Sequence, residues 1–165
     1  MTIICDCSSH MIVGLNATRG PKPDNRQLKP TLKNSVMKID KLLGDAGFDG
    51  EANHEYCRET KNIRSFFPPL IGRPTKYGKL SGYWRSKMRN YFEDTERISY
   101  GQRWQVETTF SMIKRCFTSA LSARSYHGRI RQMFLLALTH NIAIFLLQGF
   151  LQSSTVTFNF VELLN

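Results

Sequence analysis

One stretch constrains the fold of this chain more than any other: Tyr100 to Lys114, reading Tyr-Gly-Gln-Arg-Trp-Gln-Val-Glu-Thr-Thr-Phe-Ser-Met-Ile-Lys. At about 100° per residue, a helix would place Arg103, Glu107 and Lys114 at about −60°, −20° and −40° from Tyr100. These four polar groups then share a narrow face. Val106, Phe110, Ile113 and Phe117 fall at about −120°, −80°, −140° and −100°, so an apolar stripe lies directly beside it. The stripe needs a core, and the polar row belongs at the rim of that core.

A carboxylate between two cations at a core's edge suits a divalent metal, and the cations with the Tyr100 phenol suit a phosphate. The alternative is an ordinary amphipathic helix with a solvated charged face. Charge distribution bears on the choice. The chain carries a net charge of +10. Residues 58–133 hold 16 Lys or Arg against 5 Asp or Glu, whereas residues 1–57 hold 7 of each. The excess therefore surrounds the central helix and points to a polyanion, of which nucleic acid is the commonest.

At 165 residues with 41% hydrophobic and 22% charged residues, the chain can bury one sizeable core. Its four cysteines, Cys5, Cys7, Cys57 and Cys116, do not form a secreted-domain framework, and no signal peptide is apparent, which makes a reducing cytoplasm the default expectation. Cys5, Cys7 and His10, or His54 and Cys57, match no strong zinc spacing and read better as buried groups of a strand and a helix.

In chain order, Thr2 to Cys7 and Met11 to Ala17 read as an antiparallel hairpin. Asp24 is placed to cap a helix reaching about Met37, with Leu28, Leu32 and Val36 as its apolar positions. Ile39 to Phe48 contains a short strand ending at Gly44-Asp45, so Asp45 projects where open α/β sheets gather ligands; the alternative is a plain turn residue. Glu51 to Thr60 reads as a short helix, and Ile63 to Phe67 as a strand stopped by Pro68-Pro69. From Gly72 to Arg97 cations and aromatic residues interleave, among them Arg85, Lys87 and Arg89, as a DNA-contacting surface requires, though loops packed on a core can look the same. Gly128 to Gln152 forms a long apolar helix. Thr139, His140 and Asn141 in its middle favour a core helix over a membrane span. Residues 153–165 read as a loosely attached tail.

Taken together, Tyr100, Arg103, Glu107 and Lys114, separated by two, three and six residues, resemble the Tyr-Arg-Glu-Lys signature of insertion-sequence transposases of the Asp-Asp-Glu class. Gly44 to Asp49 is similar to that family's second-aspartate motif, Phe67-Pro68-Pro69 to the proline pair after its last strand, and Leu138 to Ile142 to part of its final core helix. The resemblance implies an α/β, ribonuclease H-like catalytic core over residues 1–152. It also implies Asp45 and Glu107 as catalytic, metal-binding carboxylates for Mg²⁺ or Mn²⁺, with Tyr100, Arg103 and Lys114 on the DNA backbone. The reaction would be strand cleavage and strand transfer at transposon ends and target DNA.

The family's first catalytic Asp lies on a strand before the hairpin, and that role is not carried onto Asp6. The expectation is therefore a transposase core lacking its first strand, a truncated and inactive copy, with a homodimer or a complementing N-terminal fragment as its protein partner. The protein would be cytoplasmic, and nucleoid-associated when bound to DNA. A non-catalytic DNA-binding remnant or regulator is the competing expectation, and a membrane or partner-docking role rests on the last helix alone.

Overall fold

A computed structural model describes residues 1–20, 22–70, 82–93, 104–118 and 120–153. It is a mixed α/β structure. Strand β1 (Thr2–Cys5) pairs antiparallel with β2 (Ile12–Asn16), as the two β-branched runs lead one to expect. The register runs from Thr2 opposite Asn16 to Cys5 opposite Ile12, with a bulge at Ile4/Cys5. Because of the bulge and the strand's alternation, Ile3, Ile12 and Leu15 join one core cluster while Ile4 and Val13 join another. Both faces of the hairpin are therefore covered.

Helix α1 (Asp24–Lys33) lies across the Ile4/Val13 face through Leu28 and Leu32. Gly14 permits this close approach, since a Cβ there would stand 3.1 Å from the Thr31 carbonyl. The helix stops earlier than the expected Met37, and its N-cap is Pro23 rather than Asp24. The early stop has a local cause. Asn34 Nδ2 donates to the Leu15 carbonyl at 3.0 Å and the Val36 amide to the Val13 carbonyl at 3.0 Å, so the chain leaves the helix to bond with β2. Val36, expected on the apolar face, is exposed.

Strand β3 (Lys41–Leu43) pairs in parallel with β4 (Arg64–Phe66) as a second two-stranded sheet. Between them run a 3₁₀ turn (Ala46–Phe48), helix α2 (Glu51–Glu55) and a π-helical turn (Tyr56–Thr60). Leu42, Cys57, Ile63 and Phe67 bring this sheet into the cluster of Ile4, Val13, Leu28 and Leu32.

Helix α3 (Tyr83–Glu93) occupies part of the stretch expected as a basic and aromatic DNA-contacting surface. Its spacing explains the helix: Trp84, Met88 and Tyr91 recur every three to four residues, and Met88 is buried. Helix α4 (Gln105–Cys116) is the described part of the central helix, and its buried Ile113 packs with Ile3, Ile12 and Leu15. Phe117, expected on the stripe, follows the helix and is exposed.

Helix α5 (Tyr126–Ser153) joins the same side, where Ala137 is buried in that cluster. The polar trio at mid-helix has specific employment. Asn141 accepts from the Ile12 amide and donates to the Ile12 carbonyl, both at 2.8 Å, His140 Nε2 meets the His10 carbonyl at 2.9 Å, and Thr139 bonds back to Leu135 O. The contact with β2 and α4 is a narrow strip, so Leu135, Leu138, Ile142 and Phe145 remain exposed. By length and composition alone Tyr126–Gly149 is apolar enough to cross a membrane, with a mean hydropathy of 1.6.

Candidate functional site

Asp45 stands at the carboxyl end of β3. The Gly44 amide still donates to the Phe66 carbonyl, at 3.1 Å, so pairing with β4 runs up to the residue before it. Asp45 then caps the 3₁₀ turn, its Oδ1 accepting from the Ala46 amide at 2.7 Å, and the residue is exposed. Gly44 cannot be larger, because a Cβ would lie 2.7 Å from the ring of Phe67 at the centre of the core. Strand end, glycine and turn together fix the position of this carboxylate.

Glu107 lies in the first turn of α4 and is exposed, as is Lys114 two turns further along. Seven residues at 1.5 Å each separate them by about 10 Å along the axis. Tyr100 and Arg103, the other members of the motif, lie outside the described residues.

Val106, beside Glu107, and Leu43, two residues before Asp45, line one groove of about 490 Å³ that runs between β1 and β3. Among the described residues no group of three or more His, Cys, Asp or Glu is arranged to hold a metal. The oxygen donors of Asp45 and Glu107, both at the surface, are of the hard type that Mg²⁺ or Mn²⁺ takes.

Asp6 is occupied differently. Its Oδ2 accepts from the Ser8 hydroxyl, from the Ser9 amide at 2.8 Å and from the Ser9 hydroxyl at 2.7 Å, closing the hairpin turn. These bonds, Ser8 first, hold its pKa below the usual carboxylate range. Cys5 and Cys7 are not in disulfides, and burial raises the pKa of both thiols, with the neighbouring Asp6 charge adding to the effect. Burial pushes the Cys57 thiol up to about 12.

The three basic residues expected to contact DNA from the middle block have separate local partners. Arg85 Nη2 and Nε reach Asp49 Oδ2 at 2.7 and 2.9 Å. Lys87 lies over the rings of Tyr83 and Trp84, at 5.8 and 5.3 Å from their centroids. Arg89 pairs with Glu93 at 2.8 Å on the exposed side of α3, an arrangement that contributes little in solvent.

Asp49 begins a polar chain that was not apparent in the sequence. Its Oδ2 also accepts from the Leu70 amide at 2.8 Å, and its Oδ1 faces His54 Nε2 at 3.5 Å. His54 Nδ1 meets Ser65 Oγ at 2.8 Å, and Arg58 Nε donates to the same oxygen at 3.1 Å. Arg58 can only donate, so the Ser65 oxygen accepts from it while also meeting the His54 ring. Burial works to raise the Asp49 pKa, but the hydrogen bonds from His54, Arg85 and Leu70 and the Arg85 charge outweigh it, and the carboxyl lies below its ordinary value.

Serine, histidine and aspartate occur here in the order of a hydrolytic triad, yet Ser65 and His54 are fully buried and no substrate can reach them. The network is a clamp. Glu51 extends it by accepting the Trp84 and Arg85 amides at 2.9 and 3.0 Å, which caps the start of α3. Only the helical spacing of Trp84, Met88 and Tyr91 could have signalled this docking from sequence.

Residues 1–142 match the family described as "Transposase DDE domain". No curated protein and no solved structure matches the chain.

Proposed function

The chain belongs to the transposase DDE-domain family, and on that premise we propose that it carries two of the catalytic carboxylates, Asp45 and Glu107, of a DNA strand-transfer site. The observation that supports this most is that one groove is lined by Leu43 and Val106, two and one residues away from the acids in sequence. In this reading the fold is a ribonuclease H-like core, and Asp45 and Glu107 are two of its metal-binding carboxylates.

The reaction is in-line displacement at a DNA phosphorus. An oxygen of water or of a 3′-hydroxyl forms the new P–O bond, the bond to the leaving 3′ oxygen breaks, and a proton passes from the attacking oxygen to the leaving one through solvent. Asp45 and Glu107 would hold Mg²⁺ or Mn²⁺, which when bound supplies activation of the attacking oxygen and stabilisation of the leaving one. The chain's cations bind and orient the strand. Lys114, about 10 Å along α4 from Glu107, takes a backbone phosphate away from the reacting one. Arg103 and Tyr100, the other two residues of the motif, add backbone contacts. Lys87 and Arg89 extend the contact, and Arg85 supports the helix that presents them.

A second reading, a DNA-binding remnant without catalysis, draws on the lack of a third grouped carboxylate among the described residues. Both readings require duplex binding that weakens linearly in log-log terms with salt, at about −0.9 per phosphate contacted. Fluorescence anisotropy with labelled duplex tests this. Lys114→Ala should lower the slope by about one contact. Salt-insensitive or absent binding removes both readings. Nicking of supercoiled DNA with Mg²⁺ or Mn²⁺ separates them: nicking that Asp45→Asn and Glu107→Gln abolish supports the catalytic reading, and no nicking supports the second.

A further inference from the structure

A second cavity, of about 340 Å³, lies where the start of α1 meets the start of α2. Asn25, Arg26 and Lys29 form one wall and Gly50, Ala52 and Asn53 the other, so the lining holds two cations and no acid. The acids next to these residues in sequence are committed elsewhere. The Asp24 carboxylate lies against Gly47, where a Cβ would meet its Oδ2 at 2.8 Å. Asp49 holds Arg85 and the Leu70 amide, and Glu51 accepts the Trp84 and Arg85 amides. Among the described residues no carboxylate pairs with Arg26 or Lys29.

The two cations, three residues apart on α1, share one face of the helix. Lys29 Nζ lies 5.3 Å from the centroid of the Tyr56 ring, which steadies the ammonium without neutralising it. The opposite wall is fixed as well. The buried Asn53 side chain donates from Nδ2 to the Asn25 and Phe48 carbonyls, both at 2.9 Å, and so ties α2 to the start of α1 and to the turn that Asp45 caps. Two like charges brought to one cavity repel each other, and an anion between them relieves that cost.

We propose that this cavity binds the phosphate group of a nucleotide unit. Arg26 offers a planar fork of N–H donors that matches two phosphate oxygens, and Lys29 adds a second positive charge. The volume stands at the small end of the range of about 300–1,000 Å³ for ligand clefts, with room for a phosphate and its adjoining sugar. A free phosphate or nucleotide and a phosphate within a DNA strand present the same chemistry to these residues. One 3₁₀ turn separates Gly50 from Asp45. Assigning the phosphate to DNA rests on the transposase reading, whereas the anion site rests on the cavity and its cations alone.

The test follows the backbone amides of the isotopically labelled full chain by NMR at constant ionic strength. The probes are inorganic phosphate, with chloride as the control anion, and a short DNA duplex. Phosphate should shift the Gly50, Ala52 and Asn53 amides in a saturable way, and chloride should leave them in place. Replacing Arg26→Gln and Lys29→Gln together should weaken this binding by about tenfold or more. Lys33→Gln removes an exposed charge from the last turn of the same helix, outside the cavity, and should leave it unchanged. Ala52→Glu brings a carboxylate to an exposed lining position and should abolish the response, whereas Ala52→Gln should keep it. Urea midpoints within about 0.5 M of the parent establish that the variants are folded.

DNA that shifts the same amides at a lower phosphate concentration than the free ion, and loses that effect in the double variant, assigns the site to a strand. DNA that leaves those amides in place while free phosphate still shifts them assigns it to a free phosphate or nucleotide. Absence of saturable shifts with both probes overturns the proposal. An equal loss in Lys33→Gln and in the double variant also overturns it, by reducing the effect to diffuse attraction. The phosphate titration involves no metal and neither Asp45 nor Glu107, so the anion site and the catalytic reading fail or succeed separately.

Discussion

Replacing Arg85 by alanine removes two charge-assisted bonds to Asp49 Oδ2, at 2.7 and 2.9 Å, and one to the Leu70 carbonyl at 3.2 Å. Asp49 keeps the Leu70 amide at 2.8 Å and the distant His54 nitrogen at 3.5 Å. Its side chain has no exposed surface, so water cannot replace the guanidinium without opening the site. Breaking a buried pair while leaving one charge in place costs about 3–5 kcal/mol. Arg85 itself is 19% exposed, which favours the lower end, about 3 kcal/mol. With a urea slope of about 2 kcal/mol per molar, the unfolding midpoint should fall by about 1.5 M. Asp49→Asn in the same chain should recover part of the loss, because a neutral amide is less costly to bury unpaired. Lys87→Ala, removing an exposed cation from aromatic faces, should cost about 1 kcal/mol or less. An Arg85→Ala midpoint within about 0.5 M of the parent would refute the clamp, as would a double variant as unstable as the sum of the singles. The result also governs how DNA-binding variants are read: a charge reversal at Arg85 would weaken binding by loosening α3, whatever its contact with phosphate.

Three further outcomes follow from the same geometry. Asp6 and Asp49 have folded pKa values below the unfolded carboxylate value of about 3.9, so their contribution to stability is complete above that pH and is lost as pH falls through the folded values; the melting temperature should be level near neutrality and drop below about pH 4, less steeply in Arg85→Ala. Gly44→Ala forces a methyl group against Phe67 and should cost about 1–3 kcal/mol in a urea titration. Asn141→Ala leaves both the Ile12 amide and carbonyl without their partner and should cost about 2 kcal/mol, with faster hydrogen exchange at Ile12.

The hairpin, the strand before Asp45, the short helix after it and the long last helix were legible because hydrophobic period and turn residues act over a few neighbours. The end of α1 was not, since Asn34 and Val36 are drawn away by carbonyls of β2 nineteen and twenty-three positions earlier in the chain. Tyr83 to Glu93 read as a nucleic-acid surface because its composition is basic and aromatic. Folded, the same residues form a helix whose Trp84 donates to Glu59 and lies under Arg58, and whose Arg85 closes on Asp49. Composition cannot distinguish a cation facing solvent from one facing a buried acid thirty-six residues away. The motif residues fared unevenly for a similar reason: the strand end and α4 place Asp45, Glu107 and Lys114, whereas Tyr100 and Arg103 lie outside the described residues.

The pairing of Asp45 with Glu107 around one divalent ion is tested most directly by isothermal calorimetry of Mn²⁺ binding to the full chain and to three single variants. Asp45→Asn retains the acceptor for the Ala46 amide and Glu107→Gln retains the helix, so each removes charge with little disturbance of the backbone. Asp6→Asn is the control, because its carboxylate is occupied by Ser8 and Ser9. A single Mn²⁺ site weakened about tenfold or more by either Asp45→Asn or Glu107→Gln, and unchanged by Asp6→Asn, is the predicted result. Binding that survives either of the first two substitutions, or that disappears with Asp6→Asn, would contradict a shared site.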